Sequence, residues 1–187
     1  MKVGVIGAGT MGSGIAQAFA VTEGYEVVLC DIQESFAENG KKKIQANLEK
    51  LVSKGKMEEA KKDAILSKIT TGLKEKVADC DLVVEAAIEN MQAKRELFLA
   101  LQSICKKETI FSTNTSSLSV TELSSKLDRP VIGMHFFNPA PVMKLIEIVV
   151  GLNTPQDLVD RISEIAKEIG KTPVIAKDAA GFIVNRI

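Results

Sequence analysis

Lys2-Val3-Gly4-Val5-Ile6 runs directly into Gly7-Ala8-Gly9-Thr10-Met11-Gly12, and Val27-Val28-Leu29-Cys30-Asp31 follows after a helix-compatible stretch from Ser13 to Val21. The first and last segments are short, apolar and rich in β-branched residues, which reads as buried strand. Strand, glycine turn, helix and strand within about 30 residues form a βαβ unit, and such units build parallel sheets. The glycines match G-x-G-x-x-G, which is weak evidence alone and specific when a strand precedes it and a helix follows. Each glycine has a separate task. Gly7 permits the tight turn, Gly9 lets a pyrophosphate approach the backbone, and Gly12 lets the helix pack on the strand. Ala8, Thr10 and Met11 complete the turn, whose amides and helix dipole favour an anion.

Asp31 ends the second strand, 19 residues beyond Gly12. An acid there accepts hydrogen bonds from an adenosine ribose and repels a 2′-phosphate, so the expected cofactor is NAD, with NADP disfavoured. The alternative is a glycine turn of another α/β fold with Asp31 a surface carboxylate. No G-x-x-x-x-G-K-[ST] occurs, which gives no support to a P-loop nucleotide hydrolase.

Beyond this unit the pattern predicts a helix from Phe36 to Ser53, with Ile44, Leu48, Leu51 and Val52 on one side, and a second from Met57 to Ile69. Two lysine-rich helices exceed what a simple crossover needs, so they are expected to form an inserted helical hairpin. Strands are then expected at Leu82–Ala86, Thr109–Ser112, Pro130–His135, Leu145–Val150 and Pro173–Ala176, with helices at Gln92–Ile104 and Val120–Lys126. Thr154-Pro155-Gln156-Asp157 reads as a capped helix start, with Pro155 in the first helical position and Gly170 ending the helix. Gly181 to Ile187 resembles the opening of a further helix. The expected fold is α/β: one Rossmann-type, doubly wound, mostly parallel sheet over residues 1–187, with the hairpin after the second strand.

Composition narrows the classes. The 187 residues carry 24 Lys plus Arg and 24 Asp plus Glu, a balance that argues against nucleic acid or anionic membrane as a partner. No apolar run approaches the roughly 20 residues of a membrane span, and the opening strand leaves no room for a signal peptide. Cys30, Cys80 and Cys105 form no C-x-x-C pair, so neither a disulfide framework nor a metal site is expected, and a cytoplasmic location is.

His135 is the one histidine. It ends a strand on the edge where ligands of such sheets bind. Glu147 lies 12 residues on, and strands paired around Pro139–Pro141 would bring imidazole and carboxylate together as a proton-transfer pair. A structural histidine in a loop satisfies the spacing equally. Asn114-Thr115-Ser116-Ser117 falls on the same edge, where its polar groups suit a substrate oxygen, although turn and capping chemistry accounts for these residue types by itself.

Five blocks carry a family resemblance: Gly7–Gly12; Val84-Glu85-Ala86-Ala87-Ile88-Glu89; Ser112-Thr113-Asn114-Thr115-Ser116-Ser117-Leu118; Gly133-Met134-His135-Phe136-Phe137-Asn138-Pro139-Ala140-Pro141-Val142-Met143-Lys144-Leu145; and Gly181-Phe182-Ile183-Val184-Asn185-Arg186. In this order they resemble the 3-hydroxyacyl-CoA dehydrogenases, and within them the bacterial 3-hydroxybutyryl-CoA branch. The resemblance implies that His135 is the general base, oriented by Glu147, and that Ser116 and Asn185 bind the reacting oxygens. It implies that Glu89, Lys94, Asn114, Ser116 and Asn138 lie along the NAD site. Ser35 and Lys42 would meet the CoA portion, which gives Lys41-Lys42-Lys43 a use beyond a solvated face.

The implied reaction is NAD-dependent interconversion of a 3-hydroxyacyl-CoA and its 3-oxo partner, in short-chain fatty acid or butanoate metabolism. The family continues into an all-helical domain that makes a homodimer, so these residues are expected to be a monomer or weak oligomer that binds NAD and turns over poorly. The alternatives are a fragment with little activity and a β-hydroxyacid dehydrogenase acting on a free acid.

Overall fold

The computed structural model describes residues 1–186, so Ile187, the last residue of the predicted final helix, lies outside the described residues. The elements in chain order are β1 (Lys2–Ile6), α1 (Thr10–Ala20), β2 (Glu26–Cys30), α2 (Glu34–Ser53), α3 (Glu59–Ser67), β3 (Ile69–Gly72), β4 (Leu82–Glu85), α4 (Met91–Ile104), β5 (Ile110–Thr113), α5 (Val120–Ser124), β6 (Val131–Phe136), β7 (Leu145–Val150), α6 (Gln156–Glu168) and β8 (Thr172–Lys177). They form one eight-stranded sheet in the order β3-β2-β1-β4-β5-β6-β7-β8. Every neighbouring pair is parallel except β6 with β7, which is antiparallel.

Side-chain alternation builds two layers. Val3, Val5, Val27, Leu29, Leu82 and Val84 face Ile15, Phe19, Ile44, Leu48 and the α6 residues Val159, Ile162 and Ile165. Ile6, Val28, Cys30, Val83 and Phe111 face Val77, Phe98, Leu101 and Leu123 on the opposite side. Apolar residues thus point both ways along each strand, as a sheet covered on both faces requires. Gly4 is small because a Cβ there would lie 2.6 Å from Val77 Cγ1. Cys30, Cys80 and Cys105 are buried free thiols, and burial pushes them up to about 12, 12 and 11.

Three expectations require correction. Ile69 belongs to a strand, not a helix: β3 pairs in parallel with β2, Ile69 opposite Val27. A four-residue edge strand with two buried positions leaves little apolar signal to read. The expected helical hairpin after the second strand is present as α2 and α3, and with β3 recognised it forms the β2–β3 crossover, with Ala37, Gly40, Ile44 and Leu48 of α2 buried.

At α6, Pro155 occupies the N-cap and not the first helical position. Thr154 Oγ1 accepts from Gly151 N at 3.0 Å, and Asp157 Oδ1 accepts from the adjacent Leu158 N at 2.9 Å. The helix forms regardless, since burying Val159, Ile162 and Ile165 contributes about 1.5–3 kcal/mol each against roughly 1 kcal/mol for a cap. Gly170 ends it at φ 73°, as expected. Finally, residues 181–186 form turns and a 3-10 segment at Val184–Arg186 in place of an opening α-helix.

Candidate active site

The glycine turn lies where strand order reverses, between β1 with its neighbour β2 on one side and β4 on the other. Parallel strands end together there, and the crevice outside their carboxyl ends is where such sheets bind ligands. Gly7 has φ 103°, and a Cβ on it would sit 2.5 Å from Ala86 O. At Gly12 a Cβ would lie 1.7 Å from Gly7 O, an overlap no rotamer relieves. Around Gly9, by contrast, a Cβ meets nothing within 4 Å, and Gly9 is an N-cap of α1 without a side-chain partner. An open approach to uncapped helix amides fits a pyrophosphate.

Asp31 Oδ2 accepts from Ala8 N at 2.6 Å and Oδ1 from Ile32 N at 2.7 Å. The carboxylate thus braces the turn while lining, with Ala8, Gly9, Asn39, Lys42 and Lys43, a cavity of about 650 Å³. The Lys41-Lys42-Lys43 run divides: Lys41 Nζ donates to Ile69 O at 2.6 Å, and the next two lysines face the cavity. Ser35 is exposed at the start of α2 and is not part of that lining.

A second cavity, of about 350 Å³, is lined by Met11, Glu89, Lys94, Asn114, Ser116, His135, Asn138 and Asn185, together with Ala86, Ala87, Phe136 and Phe137. These come from α1, the loops after β4 and β5, α4, the end of β6 with the turn that follows it, and the chain after β8.

His135 and Glu147 are register partners of the antiparallel pair β6–β7. Met134 and Phe136, and likewise Ile146 and Ile148, belong to the α1/α6 core, so alternation turns His135 and Glu147 together toward the other face. His135 Nδ1 lies 2.6 Å from Glu147 Oε2, with the side chains 7% and 1% exposed. Glu147 Oε1 accepts from Ile183 N at 3.0 Å and Val184 N at 2.9 Å. One carboxylate therefore orients the imidazole and anchors the segment that carries Asn185. The rings of Phe137 and Phe182 stand 4.6 and 5.8 Å from the imidazole and shield it.

Asn185 Nδ2 donates to Ser116 O at 3.3 Å, which brings these distant residues together. Glu89 organises the Ser116 loop: its Oε1 accepts from Thr115 Oγ1 at 2.5 Å, Ser116 N at 2.8 Å and Ser116 Oγ at 3.3 Å. Burial disfavours the Glu89 carboxylate, but these donors and Lys94 outweigh it and hold the group below the usual carboxylate range.

Lys94 is 1% exposed; its Nζ meets Glu85 Oε1 at 2.6 Å and Glu89 Oε2 at 3.4 Å. Glu85 in turn accepts from Thr113 Oγ1 at 2.6 Å and Ala87 N at 2.7 Å. Asn114 Oδ1 accepts from Phe136 N at 2.8 Å, joining the β5 loop to β6. Asn114 and Lys94 thus brace the cavity they line.

Sequence reasoning gave Glu85, Lys171 and Asp178 no role. Asp178 accepts from Ser119 Oγ, Val120 N and Thr121 N at 2.7, 3.1 and 2.9 Å, tying the chain after β8 to α5. Nothing in residue type or local spacing announces these long-range partners.

A Rossmann-type NAD site beside a histidine–carboxylate pair defines an oxidoreductase that transfers hydride and a proton together. Residues 2–179 match the family described as 3-hydroxyacyl-CoA dehydrogenase, NAD binding domain. The chain belongs to this family, and NAD is its cofactor. It is 46% identical to the 3-hydroxybutyryl-CoA dehydrogenase of Clostridioides difficile over 190 residues, covering 100% of this chain and 67% of that protein. It is 41% identical to the 3-hydroxyadipyl-CoA dehydrogenase of Escherichia coli over 189 residues, covering 99% of this chain and 39% of that one. The crystal structure of (S)-3-hydroxybutyryl-CoA dehydrogenase from Ralstonia eutropha superposes with a TM-score of 0.96 at 40% identity, over 100% of this chain and 66% of that one. The chain thus spans about two thirds of the length of these 3-hydroxybutyryl-CoA relatives.

Proposed function

We propose that this domain carries the chemistry interconverting (S)-3-hydroxybutyryl-CoA and acetoacetyl-CoA. The observation that carries the reading is the buried His135–Glu147 pair beside Ser116, Asn138 and Asn185 in one cavity. NAD, when bound, supplies the hydride acceptor in one direction and, as NADH, the donor in the other.

An ionised carboxylate only accepts hydrogen bonds, so Nδ1 of His135 donates to Glu147 and the Nε2 lone pair remains for the substrate. Nε2 takes the 3-hydroxyl proton during oxidation. In reduction the imidazolium, stabilised by Glu147, returns that proton to the carbonyl oxygen. Ser116 and Asn185 bind the reacting oxygens and fix the substrate against the imidazole. Glu89, Lys94, Asn114 and Asn138 set the nicotinamide end of the cofactor site, while Gly7–Gly12 and Asp31 hold the adenosine and pyrophosphate. Lys42, with Lys43 beside it, offers cations to the phosphates of CoA, and Ser35, outside that lining, is a CoA contact on the family resemblance alone.

Val142, Ile175, Ile183 and Val184 are exposed, and a helical domain of the kind the family resemblance implies would close the cleft and make the homodimer. Residues 1–187 assayed by themselves are expected to turn over slowly, because misplacement of about 1 Å costs on the order of a hundredfold. The buried free thiols suit a cytoplasmic location.

NADH consumption with acetoacetyl-CoA and with free acetoacetate, measured side by side, tests the substrate class. The expected result is slow consumption with the thioester and none with the acid. The opposite preference would exclude the CoA reading and favour a free-acid dehydrogenase.

A further inference from the structure

Lys171 follows the glycine that ends α6 and directly precedes β8, outside both cavities described above. It is 7% exposed. An ammonium this buried requires acceptors. Its Nζ donates to two main-chain carbonyls of the β6–β7 turn, Ala140 O at 2.5 Å and Met143 O at 2.8 Å. Among the described residues no carboxylate pairs with it, and burial pushes its pKa below the usual lysine value. The contact is thus a grip on backbone geometry and not an ion pair.

What it grips matters. Within the turn, Val142 N and Met143 N both bond to Pro139 O at 2.9 Å, and Thr172 N bonds to Lys144 O at 2.7 Å just beyond it. Asn138, immediately before Pro139, lines the cavity of His135. The turn also presses on the cofactor helix: a Cβ on Gly14 of α1 would come within 3.2 Å of Ala140 Cβ and Pro141 Cδ. The turn is therefore held on one side by α1 and on the other by Lys171.

We propose that Lys171 is a positioning residue for the nicotinamide end of the cofactor. It fixes the Ala140 and Met143 carbonyls and so sets Asn138 against the cavity, touching neither cofactor nor substrate. The inference rests on reading that cavity as the nicotinamide site.

The test compares affinities for NAD and for ADP-ribose, which lacks nicotinamide, in the 187-residue protein and in Lys171→Met. Loss of the grip is expected to weaken NAD by about tenfold, the scale of a lost charged hydrogen bond, and to leave ADP-ribose within about twofold. Lys171→Gln retains one donor group and is read by the same ratio should the methionine variant fail to fold. Equal weakening of both ligands, or no change in either by a folded variant, overturns the positioning role. A parent protein that binds the two ligands equally well overturns the nicotinamide reading of the cavity, and the inference with it.

Discussion

The glycine turn and the histidine–glutamate pair lie on one edge of the same sheet, yet they are specified in different ways. The turn spans Gly7 to Gly12 and is determined by local sterics, with Gly12 packed against Gly7 O and Gly7 against the Ala86 carbonyl. The histidine–glutamate pair has no contiguous stretch. His135 and Glu147 meet only because β6 and β7 pair antiparallel in one register, and Glu147 then captures Ile183 N and Val184 N from 36 and 37 residues away. One half of the site is written in a motif and the other in topology. A one-residue slip of β6 on β7 would turn His135 and Glu147 to opposite faces.

The network between the two halves should respond most strongly. Lys94→Met leaves the fully buried Glu85 carboxylate without its cation, which costs about 3–5 kcal/mol, while removing both charges as apolar residues comes close to neutral. Urea titration of the single and double variants checks this, and full additivity would show that the pair is uncoupled.

Gly12→Ala comes next. Relieving a 1.7 Å contact with Gly7 O displaces the turn by more than 1 Å, so NAD affinity should fall by about a hundredfold, by calorimetric titration. Glu147→Gln is the converse: turnover should fall by about 10- to 100-fold through loss of imidazole orientation, with NAD affinity retained. If each variant lowered both quantities alike, the two regions would not be separable as drawn.

The smallest effect belongs to Glu89. Its pKa is depressed, so its ionised form stabilises the Ser116 loop above the ordinary carboxylate value of about 4.3 and that contribution is lost as pH falls through the lower folded value. The group is more than a third exposed, so screening limits the effect to a fraction of about 1 kcal/mol. Thermal melts at descending pH should show this acid step in the parent and not in Glu89→Gln.

Legibility follows the same division. β1, α1 and β2 were readable because glycine chemistry and apolar runs act over neighbouring residues. The doubly wound class followed from the alternation of strands and helices, while the strand order did not. The edge strand β3 was hidden because Ile69-Thr70-Thr71-Gly72 has one large apolar residue and lies against a single neighbour. His135 and the Ser116 stretch were visible as residue types on the right edge, with Glu147 within reach of His135 if β6 and β7 paired; spacing left a structural histidine as an equal account and turn chemistry as the better account of Ser116, and the family resemblance alone supplied Asn185 and the roles of all four. The tether from Glu147 to residues 183–184, the grip of Lys171 and the bonds from Asp178 to α5 depend on distant main-chain atoms, which no local pattern records.

The role proposed for His135 is to move the substrate proton. The direct measurement is hydride transfer from NADH to acetoacetyl-CoA by the parent protein and by His135→Gln, after NADH affinities have been matched. The expected transfer rate is at least about a hundredfold lower in the variant. Equal rates in the two proteins would contradict it and place the proton on another group.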